Sequence, residues 1–502
     1  MADELVRRLG TRDAVFVGLS AMVGAGVFAV FAPAAASAGS WLLVALGVAA
    51  VVAYCNATSS ARLAALYPAS GGTYVYGTRR LGPFWGYLAG WGFVTGKTAS
   101  CAAMALTFGA YVAPGLARPL AVGAVVALTG LNLLGVQRSA LAARIMVSFV
   151  LFVLAAVATA ALLGPGPSPN SPTKSTSLGT SPGASPSTSP GTSLGTTSGA
   201  PLGTSPGTSP GTPSGTSSST PSDAFLSASP GAAMKVVDKD QRVELTDLPA
   251  DHPMVVAFTS ARLTDGPDIW GVLQGAGLLF FAFAGYARIA TLGEEVRDPS
   301  RTIPRAIGLA LAVALAVYAV IGYVALSVLG PSTLAQSPAP LVSVVDESGV
   351  GWLAPVVKAG AAVAALGALL ALILGVSRTV FAMARERDLP GSLAAVHPSR
   401  QVPHRAELVV GVAVILLILV ADLRGAIGFS SFGVLVYYAV ANASAFTLTP
   451  DEGAPPKAIP VLGLALCALL AATLPWPSVA AGLAVFAVGT LLWLLKRRLQ
   501  PT

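Results

Sequence analysis

A chain of 502 residues that is 54% hydrophobic and 10% charged, with a mean hydropathy of +0.72, is excluded from the soluble globular class and reads as an all-α polytopic membrane protein. Its formal net charge of +8 points to cytoplasmic Lys and Arg, not to nucleic acid as a partner. The three cysteines, Cys55, Cys101 and Cys467, lie in apolar segments and read as small buried hydrophobes with no disulfide framework.

Residues 1–13 are charged and lack the layout of a cleavable signal, so they read as a cytoplasmic N-terminus. Twelve candidate spans follow, judged against the roughly 20 residues a helix needs to cross the hydrocarbon. They lie near 14–38, 41–66, 84–112, 118–137, 144–164, 270–291, 304–330, 354–384, 406–421, 426–447, 458–475 and 477–495. The first five fill 14–164, the next five 270–447 and the last two 458–495, with 496–502 as a cytoplasmic C-terminus. Arg7, Arg8, Arg12, Arg79, Arg80, Arg138, Arg297, Arg301, Arg305, Arg385 and Lys496 to Arg498 then share one side. The opposite short loops keep little beyond Arg118 and Arg424, so both termini are placed inside a multi-pass cell-membrane protein.

Between the fifth and sixth spans lies an extracellular insertion, 165–268. Residues 165–222 are almost wholly Ser, Thr, Pro and Gly and cannot offset their ordering entropy, so they are expected to be disordered. They read as a tolerated low-complexity insertion, or as a wall-spanning stalk. Residues 223–268 carry Val236, Val237, Val243, Val255 and Val256 among charges and suit a small cap.

The first span is interrupted by Gly24-Ala25-Gly26-Val27-Phe28. Glycine costs about 1 kcal/mol against Ala inside a helix, and an unwound turn in lipid leaves peptide groups unpaired at several kcal/mol each. Such a break persists where a guest, water or protein supplies partners. Restarting the helix after Gly24 aims the amides of Ala25, Gly26 and Val27 at an anion; a carboxylate fits. Carbonyls of Met22, Phe281 and Ala284, left free where helices stop, suit an ammonium. The matching stretch of the sixth span is Phe280-Phe281-Ala282-Phe283-Ala284-Gly285-Tyr286. Phe281, Phe283 and Tyr286 are candidates for side-chain selectivity, with Gly285 in the break itself. Paired interruptions in two halves point to a transport site; no residue-level repeat is visible, so symmetry between the halves is assumed. Close Gly and Ala spacing also serves tight helix packing, the plainer reading of Gly24 and Gly26 taken alone.

Four ordered motifs carry a family resemblance. Gly24-Ala25-Gly26-Val27-Phe28 resembles a signature of the amino acid–polyamine–organocation (APC) permeases. Phe281 to Tyr286, continuing through Glu294-Glu295-Val296-Arg297-Asp298-Pro299 to Ile303-Pro304-Arg305, resembles the same family. So do Tyr67-Pro68-Ala69-Ser70-Gly71-Gly72-Thr73-Tyr74, and Arg378 with Ala382-Met383-Ala384-Arg385. The likeness leaves out 165–268. It implies a five-plus-five inverted-repeat (LeuT-like) fold with discontinuous helices 1 and 6 plus two C-terminal helices, and amino acid transport. It also implies where coupling groups would stand. The fifth-span Lys of many proton-coupled members is replaced here by Val150, and the acid of many exchangers by Ala287.

Lys97 stands about 12 residues into the third span, roughly 18 Å deep and too far in to snorkel easily. An intramembrane Lys is a functional position by default. It reads either as the proton-coupling group or as a structural donor to broken-helix carbonyls. Arg288, in the inner half of the sixth span, is expected to pair with Glu294 or Glu295 as a cytoplasmic gate. No Asp or Glu is expected at mid-span, and His252, His397 and His404 all fall in loops.

Enzymatic readings fail. Gly96-Lys97-Thr98 mimics the end of a phosphate loop, but Trp91 stands where that motif needs Gly. No Cys/His cluster has metal-ligand spacing and no nucleophile elbow appears, so no cofactor or metal is expected. The reading is a secondary carrier for amino acids or related amines, working by alternating access, with protons as the expected driving ion and the bilayer as its setting. An amino acid or amine exchanger is the alternative, and a non-transporting receptor or surface anchor displaying 165–222 the remaining one.

Overall fold

The computed structural model describes residues 10–24, 26–68, 71–134, 140–163, 234–237, 242–245, 268–290, 296–397 and 402–499. Two units are distinguished, one formed by 1–171 with 267–502 and the other by 172–266. In the second, the described residues form an antiparallel hairpin. Its strands are β1 (Met234–Val237) and β2 (Arg242–Leu245), with Val236 opposite Val243. The remaining expectations for 165–222 and 223–268 lie outside the described residues.

In the first unit, helices lie over all twelve expected stretches. The first stretch holds three: α1 (Thr11–Met22), α2 (Gly26–Ala29) and α3 (Phe31–Ala38). After them come α4 (Leu42–Leu66), α5 (Thr73–Leu81), α6 (Pro83–Val112), α7 (Ala117–Leu133) and α8 (Ala140–Leu163). Beyond the insertion stand α9 (Ile269–Phe283), α10 (Ala287–Ala290), α11 (Pro299–Gln336), α12 (Pro340–Glu347) and α13 (Ala354–Arg385). The chain closes with α14 (His404–Val420), α15 (Leu423–Phe446), α16 (Ala458–Thr473) and α17 (Trp476–Leu499).

Among the described residues, nine helices are long and apolar enough to cross a membrane. The three expected spans outside that number each have a local reason. Helix α6 is 30 residues long but carries Lys97, Thr95, Thr98 and Ser100 in its middle. Helices α14 and α16 are 17 and 16 residues long. Two short helices, α5 and α12, were not expected as separate elements. Helix α11 starts earlier than expected because Pro299 fits a first helical position, where the missing N–H is not needed. It is kinked at Gly330, whose φ of +68° suits glycine.

Outward faces are apolar, as lipid contact requires: Val126, Ile145, Phe152, Leu309, Val412 and Leu491 are exposed. Trp352 and Trp476 stand exposed where α13 and α17 begin, and Arg385 and Lys496–Arg498 stand where the same helices end. That is the aromatic and basic anchoring expected at the two faces of a bilayer. Arg80 at the end of α5 pairs with Glu452, tying α5 to the segment between α15 and α16.

Candidate functional site

The first helix stops at Met22: the Val23 amide donates to Leu19 (2.8 Å), Val23 and Gly24 form a turn, and Gly26 starts α2. Beyond it the Val30 amide donates to the Gly26 carbonyl (3.0 Å) and Ala34 to Val30 (3.1 Å), so hydrogen bonding carries on into α3. The sixth-span helix stops at Phe283, passes through a 3-10 turn over Ala284–Tyr286 and resumes at Ala287. The two interruptions touch. A methyl built on Gly26 would meet Ala282 at 2.8 Å, and one on Gly285 would meet the Ala21 carbonyl carbon at 2.4 Å. Glycine at both positions is therefore a close-approach requirement.

One side chain serves both breaks. The buried Tyr318 hydroxyl of α11 lies 2.8 Å from the Met22 carbonyl and 3.0 Å from the Ala282 carbonyl. Its single proton serves one carbonyl at a time. Phe283 packs edge-on against the same ring, with centroids 5.0 Å apart. Toward α3, Tyr111 of α6 donates to the Phe28 carbonyl (3.1 Å) and accepts from the Leu341 amide (3.4 Å). Ser37, Gln274 and Arg424 form a further clasp, with the Arg424 guanidinium 2.9 Å from the Ser37 hydroxyl.

Beside the breaks is a cavity of about 140 Å³. Phe281, Ala284, Gly285, Lys97 and Arg288, all expected site residues, stand in its wall, together with Ser100 and Arg378. Lys97 is 6% exposed and its ammonium donates to the Ala284 carbonyl at 3.2 Å. Met22, Gly24, Gly26 and Val27 are buried at the first break but do not form this wall. Helical phase turns Phe283 onto Tyr318, and Tyr286 stacks on Tyr438 with centroids 5.1 Å apart. Of the three expected selectivity aromatics, only Phe281 faces the space. Ala25, Glu294 and Glu295 lie outside the described residues.

Tyr318 was not singled out from sequence. An aromatic in an apolar span carries no signal until its hydroxyl is seen to have two carbonyls to serve. Tyr318→Phe removes a donor from two buried carbonyls, at about 1–3 kcal/mol. It should lower any uptake activity roughly tenfold or more while the variant still purifies as a monodisperse protein. Unchanged initial rates would show that the bridge is dispensable.

The fold and site thus describe a polytopic helical membrane protein with a cavity beside two interrupted helices. The family model for amino acid permeases matches residues 9–205 and 244–495. An uncharacterized transporter of Mycobacterium tuberculosis is 54% identical over 497 residues, covering 99% of this chain and 92% of the relative. The branched-chain amino acid permease BcaP of Bacillus subtilis is 22% identical over 98% of this chain and 94% of its own length. A chloroplastic cationic amino acid transporter of Arabidopsis thaliana is 30% identical over 46% of this chain and 37% of its own. The chain belongs to the amino acid permease family of the APC superfamily.

Proposed function

We propose that this permease is a secondary active carrier of amino acids or related amines, driven by protons, in the cell membrane with both termini cytoplasmic. In this reading the fold is the five-plus-five inverted repeat with two added helices. The cavity against Ala284 and Gly285, and the first break behind it, receive the two charges of a zwitterion. The observation that carries the reading is the direct contact of two helix interruptions beside a cavity whose wall includes Lys97. A break whose carbonyls are met by side-chain donors can exchange those donors for a substrate ammonium. Lys97 is the proposed coupling group, because its ammonium holds the very carbonyl that a substrate amine would use.

The family model and the names of the relatives support amino acids as the substrate class. Radiolabelled uptake into proteoliposomes tests the reading, with a panel of L-amino acids and imposed pH or sodium gradients. Uptake of at least one amino acid driven by an inward proton gradient is expected. Uptake that follows only an opposing amino acid gradient would replace symport by exchange, and no uptake of any amino acid would end the carrier reading. Deleting residues 165–222 should leave uptake intact; a receptor displaying that segment would lose its role.

A further inference from the structure

A carboxyl group that the mechanism above does not use lies buried near the cavity. Glu407, in the first turn of α14, is 0% exposed, and neither of its oxygens has a hydrogen-bond partner. Ser377 and Arg378 of α13 act on it electrostatically, and α7 sets the buried Thr129 against Gly411, one turn further along the same helix. Ser377 gives its proton to the Leu374 carbonyl (3.1 Å). Arg378 is in the cavity wall, and the ion pairs formed among the described residues are Arg80–Glu452, Arg144–Asp13 and Lys496–Asp388. Arg378, exposed on α13, thus belongs to the cavity wall and is also the cation that acts on the buried acid.

The physical difficulty is the charge. An isolated carboxylate in an apolar interior is strongly disfavoured, by far more than the favourable field of a helix N-terminus returns. Two arrangements avoid this cost: the neutral acid, or the carboxylate paired with the nearest cation. Among the described residues that cation is Arg378. The helices α6 and α7, which also pack on α14, bring no charged group to bear on Glu407, and neither does the 3-10 turn at Gly391–Ala394. On its own helix His404 meets the ring of His397 edge to face, and Arg405 donates to the Ser392 carbonyl (3.4 Å).

We infer that Glu407 is a proton-binding residue that controls Arg378: with its proton, Glu407 leaves Arg378 to the cavity, and without it Glu407 draws the guanidinium away. A proton on Glu407 and an anionic group of the substrate near Arg378 then favour each other's binding, which is what a symporter requires. The proton moves from water to a carboxylate oxygen and back, with no other bond made or broken. The inference rests on the carrier reading above and adds a second proton-binding residue to Lys97.

Equilibrium counterflow in proteoliposomes tests it, using a mixture of radiolabelled L-amino acids at equal pH on both sides. The wild-type rate should rise severalfold as pH is lowered, as expected when one titrating group sets the competent fraction. Glu407→Gln imitates the protonated acid and should run near the low-pH rate throughout. Arg378→Gln should be slow and flat. A wild-type profile retained by Glu407→Gln overturns the inference and leaves the carrier reading standing; so does a wild type that is active but flat. Counterflow absent from the wild type ends both. Should Glu407→Gln not fold, proton uptake on adding the amino acid mixture to purified protein in weak buffer decides. Wild type is expected to take up protons and Arg378→Gln not, and equal uptake by both overturns the inference.

Discussion

Gly285→Ala is expected to abolish amino acid uptake while the protein still reaches the membrane. The added methyl would lie 2.4 Å from the Ala21 carbonyl carbon, 2.5 Å from its oxygen and 2.6 Å from the Met22 nitrogen. All three are main-chain atoms, so no rotamer change relieves the overlap and one break must move away from the other. Overpacking of this kind costs typically about 1–3 kcal/mol, which the rest of a large helical unit can absorb. The juxtaposition of the two breaks cannot, because displacement of the order of an ångström separates the Tyr318 hydroxyl from its two carbonyls. Uptake should fall by about a hundredfold or more, the scale of roughly 2.7 kcal/mol in a rate. Gly308→Ala is the control, since nothing lies within 4 Å of a methyl there, and it should transport as wild type. Rates normalised to purified protein, with thermal stability measured in detergent, separate loss of function from loss of fold. A Gly285→Ala carrier of ordinary rate would mean that close contact between the breaks is not needed.

Hydropathy made the spans legible because a stretch that faces lipid must be apolar along nearly its whole length. The same rule obscures α6, whereas α14 and α16 are apolar but short, at 17 and 16 residues. Helix α6 buries Thr98, Ser100 and Lys97 against its neighbours, so its hydropathy dips where its surroundings are protein. The breaks were legible in Gly24 and Gly26, whose small size is a local property. Which aromatic faces the cavity was not, since Phe281, Phe283 and Tyr286 differ only in helical phase and in the 3-10 turn that shifts it. Glu407 was passed over for a related reason. It lies at the start of a span, where an acid ordinarily reaches water, and only the packing of α13 beside α14 buries it. Tyr318 and Glu407 are both residues whose meaning comes from partners far away in sequence.

Lys97→Gln should remove accumulation driven by a proton gradient, by tenfold or more, while counterflow persists and keeps its pH profile. The ammonium of Lys97 donates to the Ala284 carbonyl at 3.2 Å, an oxygen freed by the end of α9. Glutamine retains a donor for that oxygen and loses the charge, so the break keeps its shape but not its exchangeable proton. On the proposed reading substrate still binds and crosses, because the backbone groups assigned to it are unchanged. What is lost is the link between the proton gradient and the direction of net movement. Lys97→Ala goes further: it strips the donor as well, and an unpaired carbonyl in the membrane interior costs about 1–3 kcal/mol, so counterflow should also fall. The pair of variants separates the two roles open to this side chain. If Lys97 is a structural donor only, glutamine should preserve proton-driven accumulation and alanine alone should fail. If it carries the coupling proton, both lose accumulation and only alanine loses counterflow.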